Sequence, residues 1–484
     1  MLDLFTETDI DKLINHIKAN YNPNKPLMFV VDLFCGAGGM TEGYQKVDNT
    51  FVVACVNHDE YAIKSHHANH PCCIHYTEDI TDWNVIWKIE SLVFQLRERF
   101  SNCFLILHAS LECTHLSKAK GGLSRDGDSR TLAFHLEKYL EIIPDYITIE
   151  NVEEILTNGP LDEDGMIIPE LKGLDYKLWL EIIQDYGYDY DYRLLDSADF
   201  GEYTSRKRYY GIFAKEGLPV SFPKQTHVTK KKQHLFPNLK PHKAVKEVLD
   251  LDNCGISVFG KNKRGKNYVD ATITRTHAGV KKTLKEKQTE FLSAYYGASQ
   301  NGQGITGMDE PCNTLTTKDR FALHHIQYAY SNAYYTSIEK PAGTILTNPK
   351  HELVTTKWLY DTQYDRVCCS VEKPSPVIIA RQDKTPLSIG FAKNFSIVDH
   401  SVELPTDTNA RKNLKSFMRS NQIKDITIRP LLEKELLRVQ GFPEDYILLG
   451  GVTRAKKYIG NAVVPGMAEV IGNEIYKSHS EYLN

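Results

Sequence analysis

The stretch Met28-Phe29-Val30-Val31-Asp32-Leu33-Phe34-Cys35-Gly36-Ala37-Gly38-Gly39 decides the fold of this chain. Its first part is a run of apolar, strand-forming residues broken by a single acid, and such a run reads as a strand buried on both faces. The glycines that follow open a turn in which missing side chains let a ligand approach the backbone. Two further runs share this layout. Cys103-Phe104-Leu105-Ile106-Leu107 runs out into Ser110-Leu111-Glu112-Cys113, and Tyr146-Ile147-Thr148-Ile149 delivers Glu150-Asn151-Val152. Ligands of open α/β sheets bind just beyond the carboxyl ends of the strands, so one sheet edge gathers a glycine turn, a thiol and a carboxyl group.

Working outward, Phe51 to Val56 and Tyr209 to Ala214 read as strands, Glu60 to Asn69 as a helix and Trp83 to Arg99 as an amphipathic helix. This alternation predicts an α/β, doubly wound, mostly parallel sheet with helices on both faces over 27–215. Residues 1–26 read as an N-terminal helical leader, with Asp9 capping Ile10 to Ala19. The character changes over 216–425, which is rich in Thr, Asn and Gly. A degenerate repeat recurs there as Asp270-Ala271-Thr272-Ile273-Thr274, Cys312-Asn313-Thr314-Leu315-Thr316 and Ala342-Gly343-Thr344-Ile345-Leu346. These units read as β-hairpins of a second, mainly β domain. Residues 426–484 return to the first domain, with a helix over Arg429 to Gln440 and a last helix starting near Pro465.

Bulk composition narrows the classes. At 484 residues, 41% hydrophobic and 25% charged, the chain can bury two or three cores. No apolar run approaches the roughly 18 residues of a membrane span, so no membrane role is expected. The acidic start, Met1-Leu2-Asp3-Leu4-Phe5-Thr6-Glu7, lacks the basic head of a signal peptide. Ten scattered cysteines without a C-x-x-C spacing argue for a reducing cytoplasm and against a disulfide framework or a zinc ribbon, so no metal is expected. The net charge of −4 hides an uneven distribution: from Gly217 to Lys287 there are 16 Lys/Arg against 5 Asp/Glu. An excess of this kind suits either a solvated lysine-rich surface or one that faces phosphates.

The glycine turn does not follow G-x-G-x-x-G and has no phosphate-loop lysine, which disfavours a dinucleotide oxidoreductase. Acids recur after the next two strands, as Asp59 and Asp79. Carboxylates at successive strand ends can hold a ribose and an adenine amino group, which points to S-adenosylmethionine. Cys113 sits in a polar loop ahead of Lys118-Ala119-Lys120-Gly121-Gly122, where nearby cations favour a thiolate. Glu150, at the end of an apolar strand, is placed to hold a proton near neutral pH. Arg206 and Arg208 precede a strand at alternate positions and can enter one site together.

In this order the segments resemble the motifs of the cytosine-C5 DNA methyltransferases, over roughly 27–215 and 426–484. Asp32 to Gly39 is similar to the family's first motif; Asp79 falls in its third, Cys113 in its fourth and Glu150-Asn151-Val152 in its sixth. Arg206 and Arg208 fall in the eighth, Arg438-Val439-Gln440-Gly441-Phe442-Pro443 in the ninth and Gly460-Asn461-Ala462-Val463-Val464-Pro465 in the tenth. The chain departs from the pattern at three places. Leu111-Glu112-Cys113-Thr114 replaces Pro-Pro-Cys-Gln, Asn57 stands at the acidic ribose position with Asp59 two residues on, and Thr204 replaces a glutamine.

The resemblance implies an S-adenosylmethionine-dependent methyltransferase fold with a second, mainly β target-recognition domain, and S-adenosylhomocysteine as the product. It implies Cys113, Glu150, Asn151, Arg206 and Arg208 as catalytic residues. It further implies a cofactor site built from Asp32, Phe34, Gly36, Gly38, Gly39, Asn57, Asp59, Asp79, Asn461 and Val463. Cytosine would be flipped out of duplex DNA, attacked at C6 by Cys113 and protonated through Glu150. Lys118, Lys120, Arg275, Gln300, Asn301, Lys318 and Arg320 would contact the DNA, with Arg suited to guanine and Asn or Gln to adenine. The setting implied is a cytoplasmic, bacterial or phage-encoded monomer on duplex DNA, with a cognate restriction endonuclease in the same system. An RNA (tRNA) cytosine methyltransferase and an inactive DNA-binding relative are the alternatives.

Overall fold

A computed structural model describes residues 7–111, 134–163, 166–250, 255–262, 265–285, 290–294, 305–307, 321–328, 358–360, 369–370, 388–389, 399–421, 423–429 and 431–483. The chain forms two compact units. The first comprises Met1–Phe200, Arg206–Thr226 and Gln440–Asn484; the second comprises Gly201–Ser205 and His227–Val439. Among the described residues no helix is long and apolar enough to cross a membrane.

The first unit is built on seven strands: Leu27–Leu33 (β1), Thr50–Val56 (β2), Ile74–Tyr76 (β3), Cys103–Ser110 (β4), Tyr146–Asn151 (β5), Tyr188–Asp196 (β6) and Lys207–Lys215 (β7). Their spatial order is β3-β2-β1-β4-β5-β7-β6. The strands run parallel from β3 to β5, and β7 runs antiparallel to both its neighbours. All seven residues of β1 are buried, as a central strand with both faces covered requires.

The helices cover both faces of this sheet. Glu7–Asn20 (α1) buries Ile10, Leu13, Ile14 and Ile17, and Trp83–Arg99 (α4) buries Val85, Ile86, Ile89, Leu92, Val93 and Leu96, all in one core cluster. Both sets follow the three-and-four spacing of a helix face. On the other face lie Gly39–Tyr44 (α2) and the C-terminal helix Pro465–Leu483, joined through Met40, Tyr44, Met467, Ala468 and Ile471. Asp59 caps Glu60–Asn69 (α3) and Asp82 caps α4, each accepting backbone N–H bonds of the first turn. Asp9 is not the cap expected of it. The helix starts at Glu7, which leaves Asp9 inside the first turn, 3.1 Å from Lys12.

Register lines up a polar row across the hydrophobic sheet. His75, Cys55, Asp32, His108 and Thr148 are successive lateral partners from β3 to β5, and lateral partners share a sheet face. His108 Nδ1 and Thr148 Oγ1 stand 2.9 Å apart, and the Tyr44 hydroxyl meets Thr148 at 3.0 Å.

The second unit holds an eight-stranded, largely antiparallel sheet, together with the helices Asp270–Lys285 and Asn409–Ser420. The first repeat unit, expected as a β-hairpin, is therefore the start of a helix, and Arg275 lies on that helix rather than on a hairpin loop. Thr272-Ile273-Thr274 has strand-like composition, but Ile273, Thr276 and Val280 are buried at helical spacing and tertiary burial overrides propensity. The other two repeat copies lie outside the described residues.

The helix expected from Arg429 starts at Glu433 instead. Pro430 biases Arg429 towards extended backbone, and Arg429 closes the strand Ile423–Ile428, which pairs in the second unit's sheet beyond position 425. The Arg429 guanidinium then donates two 2.9 Å hydrogen bonds to the buried Glu435 carboxylate.

Candidate active site

The turn after β1 uses its glycines in two ways. Phe34 and Gly36 both take left-handed backbone, with φ 59° and 54°. Among the described residues a Cβ at Gly36 would meet nothing closer than the Phe34 carbonyl oxygen at 4.0 Å, so these residues leave a hollow there. At Gly39 a Cβ would lie 2.5 Å from the Val463 carbonyl oxygen, and at Gly38 (φ 105°) it would strike the Tyr446 hydroxyl. Gly36 thus admits a ligand, whereas Gly38 and Gly39 seat the C-terminal segment. Tyr446 secures this arrangement, donating to the Ala37 carbonyl at 2.6 Å.

The acids expected around a cofactor stand at successive strand ends. Asp32, fully buried on β1, accepts a 2.9 Å hydrogen bond from the Thr41 hydroxyl through Oδ2, and its Oδ1 has no hydrogen-bond partner among the described residues. Burial pushes its pKa up to about 7, against the pull of that hydrogen bond. After β2, Asn57 Oδ1 accepts from the Asp59 backbone N–H at 2.9 Å. Asp59 in turn caps α3 and accepts from the Tyr458 hydroxyl at 2.9 Å. Partial burial opposes its charge, but Tyr458, the Ala62 N–H and Lys457 outweigh that and hold its pKa down. Asp79, after β3, is exposed; the Thr81 N–H bonds its carboxylate at 2.9 Å and lowers its pKa.

A second centre lies at the end of β5, in line with Ser110 on β4. Glu150 is only 6% exposed, and its Oε1 stands 3.4 Å from Arg208 Nε. That is ion-pair distance, and Oε1 makes no hydrogen bond among the described residues. Burial raises the Glu150 pKa, while Arg206 and Arg208 pull it back. Arg206 is itself 5% exposed and reaches the Gly460 carbonyl at 3.2 Å and the Asn461 carbonyl at 3.5 Å. Arg208 lies inside β7, which begins two residues before the expected Tyr209. Asn151 is buried beside Glu150, and its Oδ1 accepts from the Val152 N–H at 2.7 Å. The sheet therefore brings Glu150, Asn151, Arg206, Arg208 and Asn461 together, as alternate placement of the two arginines anticipated.

A family model described as C-5 cytosine-specific DNA methylase matches residues 28–477. The chain belongs to that family. DNA (cytosine-5)-methyltransferase 2 of Arabidopsis thaliana is 20% identical over 95% of this chain, which spans 29% of that relative's length. Type II methyltransferase M.XorII of Xanthomonas oryzae pv. oryzae is 27% identical over 40% of this chain and 43% of its own. Type II methyltransferase M.Sau3AI of Staphylococcus aureus is 24% identical, with 93% of this chain and 96% of the relative aligned. The chain thus spans less than half the length of the first two.

The α/β sheet is the Rossmann-like methyltransferase fold that the C-5 cytosine methylase family implies, and S-adenosylmethionine is that family's cofactor. The residues present fit such a group: the space at Gly36, the Asp32 Oδ1 that lacks a partner among the described residues, and the polar strand ends at Asn57, Asp59 and Asp79 line one edge of the sheet. Cys113, Lys118, Lys120, Gln300, Asn301, Lys318 and Arg320 lie outside the described residues, and only the backbone of Arg275 is described. Sequence reasoning missed Thr41 and Tyr446, which fix Asp32 and the glycine turn. Neither stands out in the sequence: Tyr446 acts through a partner 409 positions away, and Thr41 meets Asp32 only once the glycine turn folds the helix back on the strand.

Proposed function

We propose that this chain transfers a methyl group from S-adenosylmethionine to C5 of a cytosine flipped out of a specific duplex DNA sequence. The observation that carries this reading is a buried carboxyl group facing two guanidinium groups at the end of β5. Glu150 stands opposite Ser110 in the sheet register, and Cys113 follows Ser110 by three residues in the sequence. Burial lets Glu150 keep a proton, and the arginines keep its ionised form accessible, which is what a donor to N3 of a pyrimidine requires.

In the proposed mechanism the Cys113 thiolate adds to C6 of the base while Glu150 gives its proton to N3, so that the negative charge does not accumulate on the ring. Arg208 steadies the carbonyl oxygen at C2, and Arg206 fixes the Gly460–Asn461 backbone against the same centre. S-adenosylmethionine, when bound, supplies an electrophilic methyl group. Loss of the C5 proton to solvent water, return of the N3 proton to Glu150 and elimination of the thiolate then restore the enzyme. Asp32, Phe34, Gly36, Asn57, Asp59 and Asp79 hold the cofactor, and Gly38, Gly39 and Val463 shape its turn.

The second unit is the proposed target-recognition region. M.Sau3AI, named as a Type II methyltransferase and aligned over nearly its whole length, supports a modification role on DNA, and a cognate restriction endonuclease in the same system is part of this proposal. The test is bisulfite sequencing of DNA and RNA from cells that express the chain or its Cys113→Ser variant. Methylated cytosine in one DNA sequence context, lost in the variant, is the expected result. Methylation of RNA alone overturns the DNA reading, and unchanged DNA methylation in the variant overturns the nucleophile.

A further inference from the structure

Between His66 and His75 the chain carries four histidines and two cysteines, and the fold turns part of that density inward. Cys55 on β2, His66 on α3 and His75 on β3 offer ligand atoms that all lie within 4.8 Å of one another. Cys55 and His66 are fully buried, and His75 is half-buried. His66 Nδ1 stands 2.9 Å from His75 Nε2.

The outer ring nitrogens of this pair have partners of their own. His66 Nε2 stands 3.0 Å from the Thr41 hydroxyl, which donates to the Asp32 carboxyl group at 2.9 Å, and His75 Nδ1 lies 3.4 Å from His67 Nδ1. His66 Nδ1 and His75 Nε2 thus face each other inside the cluster.

We propose that Cys55, His66 and His75 bind a thiophilic cation of the Zn2+ type. Tetrahedral zinc with bonds of about 2.0–2.3 Å sets its ligands roughly 3.3–3.7 Å apart, a spacing within the range these atoms span. His66 Nε2, within hydrogen-bonding distance of the Thr41 hydroxyl, has the kind of outer partner that orients metal-bound imidazoles. Binding releases the Cys55 thiol proton to solvent as the metal–sulfur bond forms. Ligands drawn from three packed elements give the ion a structural role. It pins α3 and β3 to β2 behind the cofactor turn, and through His66 and Thr41 it reaches Asp32. This departs from the expectation of no metal, which rested on the lack of a C-x-x-C spacing; here the ligands come from three elements.

The test uses the untagged full-length protein, loaded with Zn2+ or with Co2+ and freed of excess ion. The expected content is about one ion per chain, and Co2+ should give the intense visible bands of a tetrahedral site with thiolate charge transfer in the near ultraviolet. Cys55→Ser and His75→Ala should each lower retention roughly tenfold or more. Cys72→Ser, which alters an exposed thiol, should leave it unchanged. Unmutated protein that retains no ion, or whose Co2+ spectrum lacks the tetrahedral and thiolate features, overturns the proposal whatever the variants do. Equal retention in Cys55→Ser and His75→Ala also overturns it.

Discussion

Two carboxyl groups are buried in one sheet, Asp32 on β1 and Glu150 on β5, with β4 between them. Their surroundings differ more than their depth. Asp32 is flanked by Thr41 and, in the register, by Cys55 and His108, whose own pKa burial lowers to about 3. Among the described residues no cation opposes desolvation at Asp32, and its pKa climbs to about 7. Glu150 meets similar desolvation with two guanidinium groups beside it, and its pKa rises against their pull. Burial alone thus yields a carboxyl that stores a proton within the structure. Burial balanced by arginine yields one able to exchange its proton with a bound base.

The largest expected effect is at Glu150. Glu150→Gln keeps the shape and removes the exchangeable proton, so methyl transfer in a single-turnover assay should fall by about 10²–10⁴-fold, with thermal unfolding little changed. A rate near that of the unmutated protein would reduce both acids to structural parts and break the comparison. Next in size is Arg206→Met, which strips a buried cation from Glu150 and from the Gly460 and Asn461 carbonyls. Urea denaturation should show a loss of about 2–4 kcal/mol. The alkaline limb of the residual rate should also move to higher pH, because Glu150 then keeps its proton longer; a limb that moves down would contradict the assigned balance.

Asp32 sharpens the contrast through pH. Its pKa is higher in the folded chain than the ordinary 3.8, so the folded form binds more protons between pH 4 and 7. The stabilisation is complete below the unfolded value and is lost as pH rises through about 7. Asp32→Asn should therefore gain relative to the unmutated protein between pH 5 and 8, by roughly 1–3 kcal/mol in parallel urea titrations. A pH-independent difference would mean that the fold leaves the Asp32 carboxyl at its ordinary pKa. The smallest effect is expected from Gly39→Ala, whose new methyl meets the Val463 carbonyl oxygen: about 1–2 kcal/mol of stability and a weaker hold on S-adenosylmethionine by calorimetry.

What could be read from the sequence follows the same division between local and distant causes. The ends of α3 and α4 match their expected positions because Asp59 and Asp82, the caps, lie immediately before a helical hydrophobic period. The Glu150–Arg208 centre was accessible because strand ends and alternate side-chain placement are properties of short segments. Thr272-Ile273-Thr274 misled because burial at helical spacing outweighs β-branched composition. Tyr446 was invisible because its partner Ala37 lies 409 positions earlier. The cluster of Cys55, His66 and His75 left a compositional trace in the histidine-rich stretch, but only the pairing of β2 with β3 and the packing of α3 give it a centre.

The latch formed by Gly39 against Val463 has a bearing on biosynthesis. The nascent chain emerges with the turn after β1 long before Tyr446 and Val463, the two residues that clamp it, have been translated. Until they arrive, the first strands can pair while the turn remains unclamped, so a ribosome-bound fragment holds S-adenosylmethionine poorly. Whatever depends on the clamped turn thereby waits for Tyr446 and Val463 to be translated, without any separate inhibitor.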